Sequence, residues 1–98
     1  MTAFMYACYG GHADVAKVLM ENSTTSNIDL NAKRNDGSTA FIVACWYDKT
    51  SIVELMLDKA DALQLDLTAK DNAGKTGFQQ GEAAVRNLIK AKRPSIAV

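Results

Sequence analysis

The chain has 98 residues, enough for one domain, and its apolar content of 48% is enough to bury a core. Its 11 basic and 11 acidic residues cancel, which argues against a general nucleic-acid or membrane-surface binder, since either needs a basic excess. No apolar run approaches the roughly 18 residues of a membrane span, and the first residues carry no signal-peptide pattern.

The chain opens in the middle of a unit, because no turn precedes Thr2. Ala3 to Tyr9 predicts a short helix with Phe4, Ala7 and Cys8 on one face. Gly10 and Gly11 end it, glycine being suited to the left-handed position after a helix. Ala13 to about Asn22 predicts a second helix with Val15, Val18 and Leu19 on one side. The polar Asn22 to Asn27 is a loop, after which Ile28 and Leu30 are expected as buried anchors of an extended turn.

Asn35-Asp36-Gly37 is a strong turn signal, since Gly37 accepts φ > 0. Thr39 stands where a helix N-cap belongs, and Ala40 to Tyr47 is the apolar helix it would cap. Asp48 occupies the register of Gly11 and is expected in a left-handed conformation. Thr50 to about Lys59 predicts the next helix, continuing for part of Ala60 to Gln64. The third unit starts at Asp71 and is shortened by four residues where its two helices join. Glu82 to Arg93 predicts its helix, with Val85, Leu88 and Ile89 inward and Lys90, Lys92 and Arg93 at the C-terminal dipole end. Pro94 stops it, and Ser95 to Val98 is expected to be a loose tail.

These units repeat. Thr2-Ala3-Phe4, Thr39-Ala40-Phe41 and Thr76-Gly77-Phe78 lie 37 residues apart. Ile28-Asp29-Leu30-Asn31-Ala32-Lys33 matches Leu65-Asp66-Leu67-Thr68-Ala69-Lys70 in the same register, and Ala7-Cys8 matches Ala44-Cys45. A fixed period of this size is the mark of a solenoid, in which each unit buries its apolar face on its neighbour. Cys8 and Cys45 then sit one unit apart, about 10 Å, too far for a disulfide, and read as small core residues of an intracellular protein. The only histidine, His12, has no partners in a metal-ligand spacing, and no Ser/His/Asp or Cys/His pairing is visible.

Turn, Gly-x-Thr cap, short helix, Gly-His, longer helix and Asp-Leu-Asn tail, in that order, resemble the ankyrin repeat. The carriers are Asn35 to Phe41, Gly11-His12, Asp29-Leu30-Asn31-Ala32 and Asp66-Leu67-Thr68-Ala69, and the resemblance covers nearly the whole chain. It implies an all-α solenoid of about two and a half repeats in a single domain, with repeats near 1–33, 34–70 and 71–93 and a tail at 94–98. Two departures matter. The family's Thr-Pro-Leu-His is Thr-Ala-Phe-Met and Thr-Ala-Phe-Ile here, so a histidine that links neighbouring turns is missing and weaker coupling of the turns is expected. The period of 37 exceeds the family's usual value of about 33, the extra residues falling in Asn22 to Asn27 and Ala60 to Gln64, away from the family's concave face.

The resemblance implies a non-catalytic module that binds a protein partner, with no cofactor, metal, nucleic acid or membrane. Its contact positions fall on Asn35, Asp36, Ser38, Trp46 and Tyr47, on Tyr9 and Gly10, and on Asn72, Ala73 and Lys75. Trp46, Tyr47 and Tyr9 stand out, because aromatics bury large areas with few rotamers to freeze. Against this stands packing of Trp46 on a neighbouring repeat. An alternative is a self-associating structural fragment of a longer array. Phe4, Met5 and Tyr6 lie near an end without a polar cap, so a dimer or swapped assembly covering that end is expected. Ala69 to Thr76 fits a relaxed phosphate-loop pattern, but Ala32 to Thr39 in the same register is a repeat turn without the lysine, which sets a nucleotide-binding enzyme aside. The basic Lys90, Lys92 and Arg93 read as a solvated helix end, and Ile96-Ala97-Val98 as a weak candidate for a carboxylate-binding groove.

Overall fold

Three threonines start three helices by the same means. Thr2, Thr39 and Thr76 each hold extended backbone while the hydroxyl accepts the N–H of the residue three positions on: Met5, Ile42 and Gln79. This satisfies one of the N–H groups that every helix start leaves without an internal partner. At Thr76 the Gln79 side chain also accepts the Thr76 N–H, completing a capping box.

The computed structural model describes residues 2–98. The helices are α1 (Ala3–Tyr9), α2 (Ala13–Glu21), α3 (Ala40–Trp46), α4 (Thr50–Leu63), α5 (Gly77–Gln80) and α6 (Ala83–Lys92), followed by a 3-10 turn at Pro94–Ile96. Each odd-numbered helix packs on the even one that follows it. The pairs stack, so that α1, α3 and α5 form one row and α2, α4 and α6 the other. The result is an all-α repeat solenoid measuring 33 × 27 × 22 Å.

The core is one continuous cluster. Phe4, Ala7, Cys8, Phe41, Ala44, Cys45 and Phe78 contribute from the first row, and Ala16, Met20, Val53, Met56, Leu57, Val85 and Ile89 from the second. Both cysteines are buried and free. Left-handed backbone recurs with the period: Gly11 and Asp48 at φ +73° and +58°, Asn27 and Gln64 both at +55°, Gly37 and Gly74 at +81° and +78°. As the sequence suggested, α4 runs on through Leu63 before Gln64 turns it.

The structure departs from the sequence reading in several places. Of the trio near the N-terminal edge only Tyr6 is exposed: Phe4 lies inward with Ala7 and Cys8 as its helical face implies, and Met5 is buried where it borders the Lys33–Asp36 turn of the next unit. Val15 and Val18 face outward, since α2 buries Ala16 and Met20 against α4. The turns are not weakly coupled. Asn72 N–H donates to the Asp36 carbonyl at 2.9 Å, Asn72 Nδ2 to the Asn35 carbonyl at 3.0 Å, and Lys33 Nζ to the Lys70 carbonyl at 3.3 Å. These bonds join successive turns without the family's histidine.

The chain after Arg93 is not loose either. Ile96 and Ala97 pack on the core. Arg93 fixes the approach, donating through Nε and Nη2 to the Leu57 carbonyl at 3.2 and 2.9 Å and pairing through Nη1 with Asp61 at 3.0 Å.

Candidate functional site

The last turns of α1 and α3 bring three aromatic side chains together. Tyr9 ends α1, Trp46 ends α3 in the same register, and Tyr47 follows as the C-cap. The Tyr47 ring meets Tyr9 edge-on with centroids 4.7 Å apart and stacks on Trp46 at 6.0 Å. Such pairs add to the packing of each ring. All three stay exposed, Trp46 at 45%, because the inward positions of α3 are filled from Ala40 to Cys45. Trp46 is therefore a surface residue and not core packing.

Beside them stands the turn of the second unit. The Arg34 guanidinium grips both Asp36 carboxylate oxygens at 2.9 Å, and Asp36 also accepts the Ser38 N–H at 2.9 Å. The Arg34 pairing, followed by the Ser38 N–H, holds the Asp36 carboxyl well below the usual carboxylate range. Arg34 is raised in turn, first by Asp36. Asn35 and Asp36 are exposed at the tip, as are Asn72, Ala73 and Lys75 on the next turn and Gly10 beside Tyr9. Ser38 departs from its expected role. It is fully buried beneath the turn, its hydroxyl has no partner among the described residues, and it offers no surface to a partner.

The segment with a phosphate-loop pattern has its amides already engaged. Asp71 Oδ1 accepts the N–H groups of Ala73 at 2.9 Å and Lys75 at 3.0 Å, and Oδ2 accepts Gln80 Nε2 at 2.7 Å. The backbone donors that would cradle a phosphate point at this chain's own carboxylate, and the helix behind them is only four residues long. The thiols are unsuited to nucleophilic work: burial pushes Cys8 up to about 12 and Cys45 higher still. Among the described residues no group of three or more His, Cys, Asp or Glu could hold a metal, and no helix is long and apolar enough to cross a membrane.

Sequence reasoning missed two features. Arg34, which orders the turn, was detectable as a basic residue two positions before Asp36. The outward patch of Tyr6, Val15 and Val18 was detectable from the register, since the same positions one unit on carry Val43, Ile52 and Leu55.

A family model described as ankyrin repeats in three copies matches residues 1–71. The chain belongs to the ankyrin-repeat family. The match ends at Asp71, in the turn that precedes α5 of this ankyrin domain. Among solved structures, one similar chain comes from the structure described as the Bd0816 predatory endopeptidase from Bdellovibrio bacteriovorus in complex with immunity protein Bd3460. The likeness has a TM-score of 0.64 at 25% identity, over 99% of this ankyrin domain. The domain spans only 43% of that solved chain. No curated protein sequence matches it.

Proposed function

We propose that this ankyrin domain is a non-catalytic module that binds a protein partner through its turn tips and the exposed ends of α1 and α3. The observation that carries the reading is the contiguous cluster of Tyr9, Tyr47 and Trp46, exposed on helices whose opposite faces are fully buried. A rigid scaffold that presents aromatic rings meets the requirements of a binding hot spot. Asn35, Asp36, Asn72 and Lys75 form the polar rim. The similar solved chain comes from a complex of two proteins, which supports the coarse reading and leaves the partner of this chain open.

Binders selected from a random-peptide display library against the full chain test this reading. Trp46→Ala weakens most of them by about 30-fold or more, as truncated hot spots do, and leaves the stability of the chain within about 1 kcal/mol. Emission of the single tryptophan in the free monomer is red-shifted and quenched by iodide. Binders indifferent to Trp46, Tyr47 and Tyr9 alike overturn the assignment.

A second reading, self-association, is favoured by the exposure of Tyr6, Val15 and Val18 at the N-terminal end of the stack. It is checked by light-scattering mass against concentration.

A further inference from the structure

The neutrality of the whole chain hides an uneven surface. The aromatic cluster is bordered by cations on two sides. On the turn side stands Arg34, its pKa raised first by Asp36 and further by the Tyr47 hydroxyl beside it. Lys33 precedes it and reaches the next turn, where its Nζ donates to the Lys70 carbonyl at 3.3 Å. Lys70 and Lys75 stand exposed at the two ends of that turn. On the helix side, Lys49 lies along Gly11, just past Tyr9: a Cβ on Gly11 would stand 3.5 Å from Lys49 Nζ.

The carboxylates of the same surface are mostly engaged within the chain. Arg34 holds both oxygens of Asp36, which also accepts the Ser38 N–H. Asp71 accepts the Ala73 and Lys75 N–H groups and Gln80 Nε2. Asp48 remains, exposed beside Tyr47. Among the described residues, Lys33, Lys49, Lys70 and Lys75 make no ion pair, whereas at the C-terminal end Lys92 and Arg93 pair with Asp58 and Asp61. Four unpaired lysines against one free carboxylate give the surroundings of the rings a positive potential.

We propose that the partner segment taken by this surface is acidic: a stretch of protein chain that lays an apolar side chain against Trp46 and Tyr9 and sets carboxylates toward Lys33, Lys70 and Lys49. This rests on the reading of the aromatic cluster as the binding site and adds the chemistry of what binds there. The rings supply the holding contact, and the lysines raise the encounter rate and reject basic partners. Nucleic acid fits this surface less well. A polyanion draws its affinity from a run of phosphate contacts, and here the cations are few, divided by aromatic rings and accompanied by Asp48.

The probes are the library peptides selected on the full chain whose binding depends on Trp46. Most of them carry a net negative charge. Changing their Asp and Glu to Asn and Gln weakens binding by about 10-fold or more. Lys33→Gln with Lys70→Gln, which keeps a donor for the Lys70 carbonyl, weakens the acidic peptides to a similar degree. Raising the salt from about 0.05 to about 0.3 M weakens the acidic peptides and not their amide versions. Lys17→Ala with Lys90→Ala, exposed on α2 and α6, leaves binding unchanged. Trp46-dependent peptides without an acidic bias, or indifferent to the loss of their acids, overturn the acidic partner and leave the aromatic site standing. Peptides indifferent to Trp46, Tyr47 and Tyr9 overturn both. Equal losses in the two lysine double variants also overturn the proposal, because the attraction is then to charge anywhere on the chain. So does a single-stranded oligonucleotide that binds more tightly than the peptides and is weakened by Lys33→Gln with Lys70→Gln, which gives the surface to nucleic acid.

Discussion

The two ends of the stack meet the same physical problem and answer it differently. A unit that stacks on one side only has one face without a neighbour. At the C-terminal end that face is changed in composition: Val53 and Leu57, buried in the second unit, become Arg86 and Lys90 in the third, 33 residues on, while Arg93, at the position of Ala60, turns back onto the second unit. Each arginine is put to use. Arg86 lies over the Phe78 ring at 5.4 Å and donates to the Gly81 and Gln79 carbonyls, while Arg93 clamps Leu57 and Asp61. Lys92 adds a pair with Asp58 at 2.8 Å. At the N-terminal end no such exchange has occurred, and Tyr6, Val15 and Val18 remain apolar and exposed. A polar outer face keeps an end repeat soluble, and of the two ends only the C-terminal one carries charged residues at these positions.

The comparison breaks most readily at matched positions. Ile52→Ala is expected to cost about 2–5 kcal/mol in urea unfolding, because it leaves a cavity between two units. Val15→Ala, at the same position one unit earlier, changes stability by about 0.5 kcal/mol or less. Equal losses at both sites would mean that the N-terminal face is covered in solution.

Arg93→Ala is expected to cost about 1–3 kcal/mol, since the bonds it makes to the Leu57 carbonyl are charge-assisted and partly buried. Asp61→Asn, which touches only the exposed half of the same clamp, costs about 1 kcal/mol or less. If the two variants unfold alike, the C-terminal cap is held by the ion pair and not by the carbonyl.

Asn72→Ala removes a bond between turns and is expected to cost about 0.5–1.5 kcal/mol. Asn35→Ala, at the same register on the open side, costs nearly nothing. Thermal melts of the pair separate an occupied rung of the turn ladder from an empty one.

The smallest effect is that of acid. Asp36 has a folded-state pKa below its unfolded value, chiefly through Arg34. Its contribution is therefore complete above the unfolded value of about 4 and is lost as the pH falls below it toward the lowered folded value. Asp71 behaves likewise, its pKa lowered first by the Lys75 N–H. Melting temperatures taken from pH 5 to pH 2 should fall less steeply in Asp36→Asn than in the unaltered chain. Both carboxylates are well solvated, so the difference is small, and equal slopes would remove the Arg34–Asp36 pair from the account of turn stability.

Much of the fold was legible because it is written locally and then repeated. A threonine before an apolar run is an N-cap whatever it packs on, and Gly37 and Gly74 mark turns by their own backbone freedom. The 37-residue register then carried the local reading from unit to unit, down to the left-handed Asp48. Trp46, Tyr47 and Tyr9 were legible as candidates because they fall outside the helix face that Phe41, Ala44 and Cys45 define. Ser38 was not, since a serine at a turn tip and a serine folded beneath it have the same neighbours in sequence.

The sequence by itself determined the helices, their caps, their turns and the number of units, because each depends on contacts within a few residues. Only the tertiary structure decided which apolar residues are core. Val15 and Ile52 are equivalent in pattern, and one is bare because burial requires a neighbour that no local pattern supplies. It also decided that Asn72 links the turns in place of a histidine, and that the segment after Pro94 packs down. Both depend on partners about 36 or 37 residues away, brought within reach by the stack.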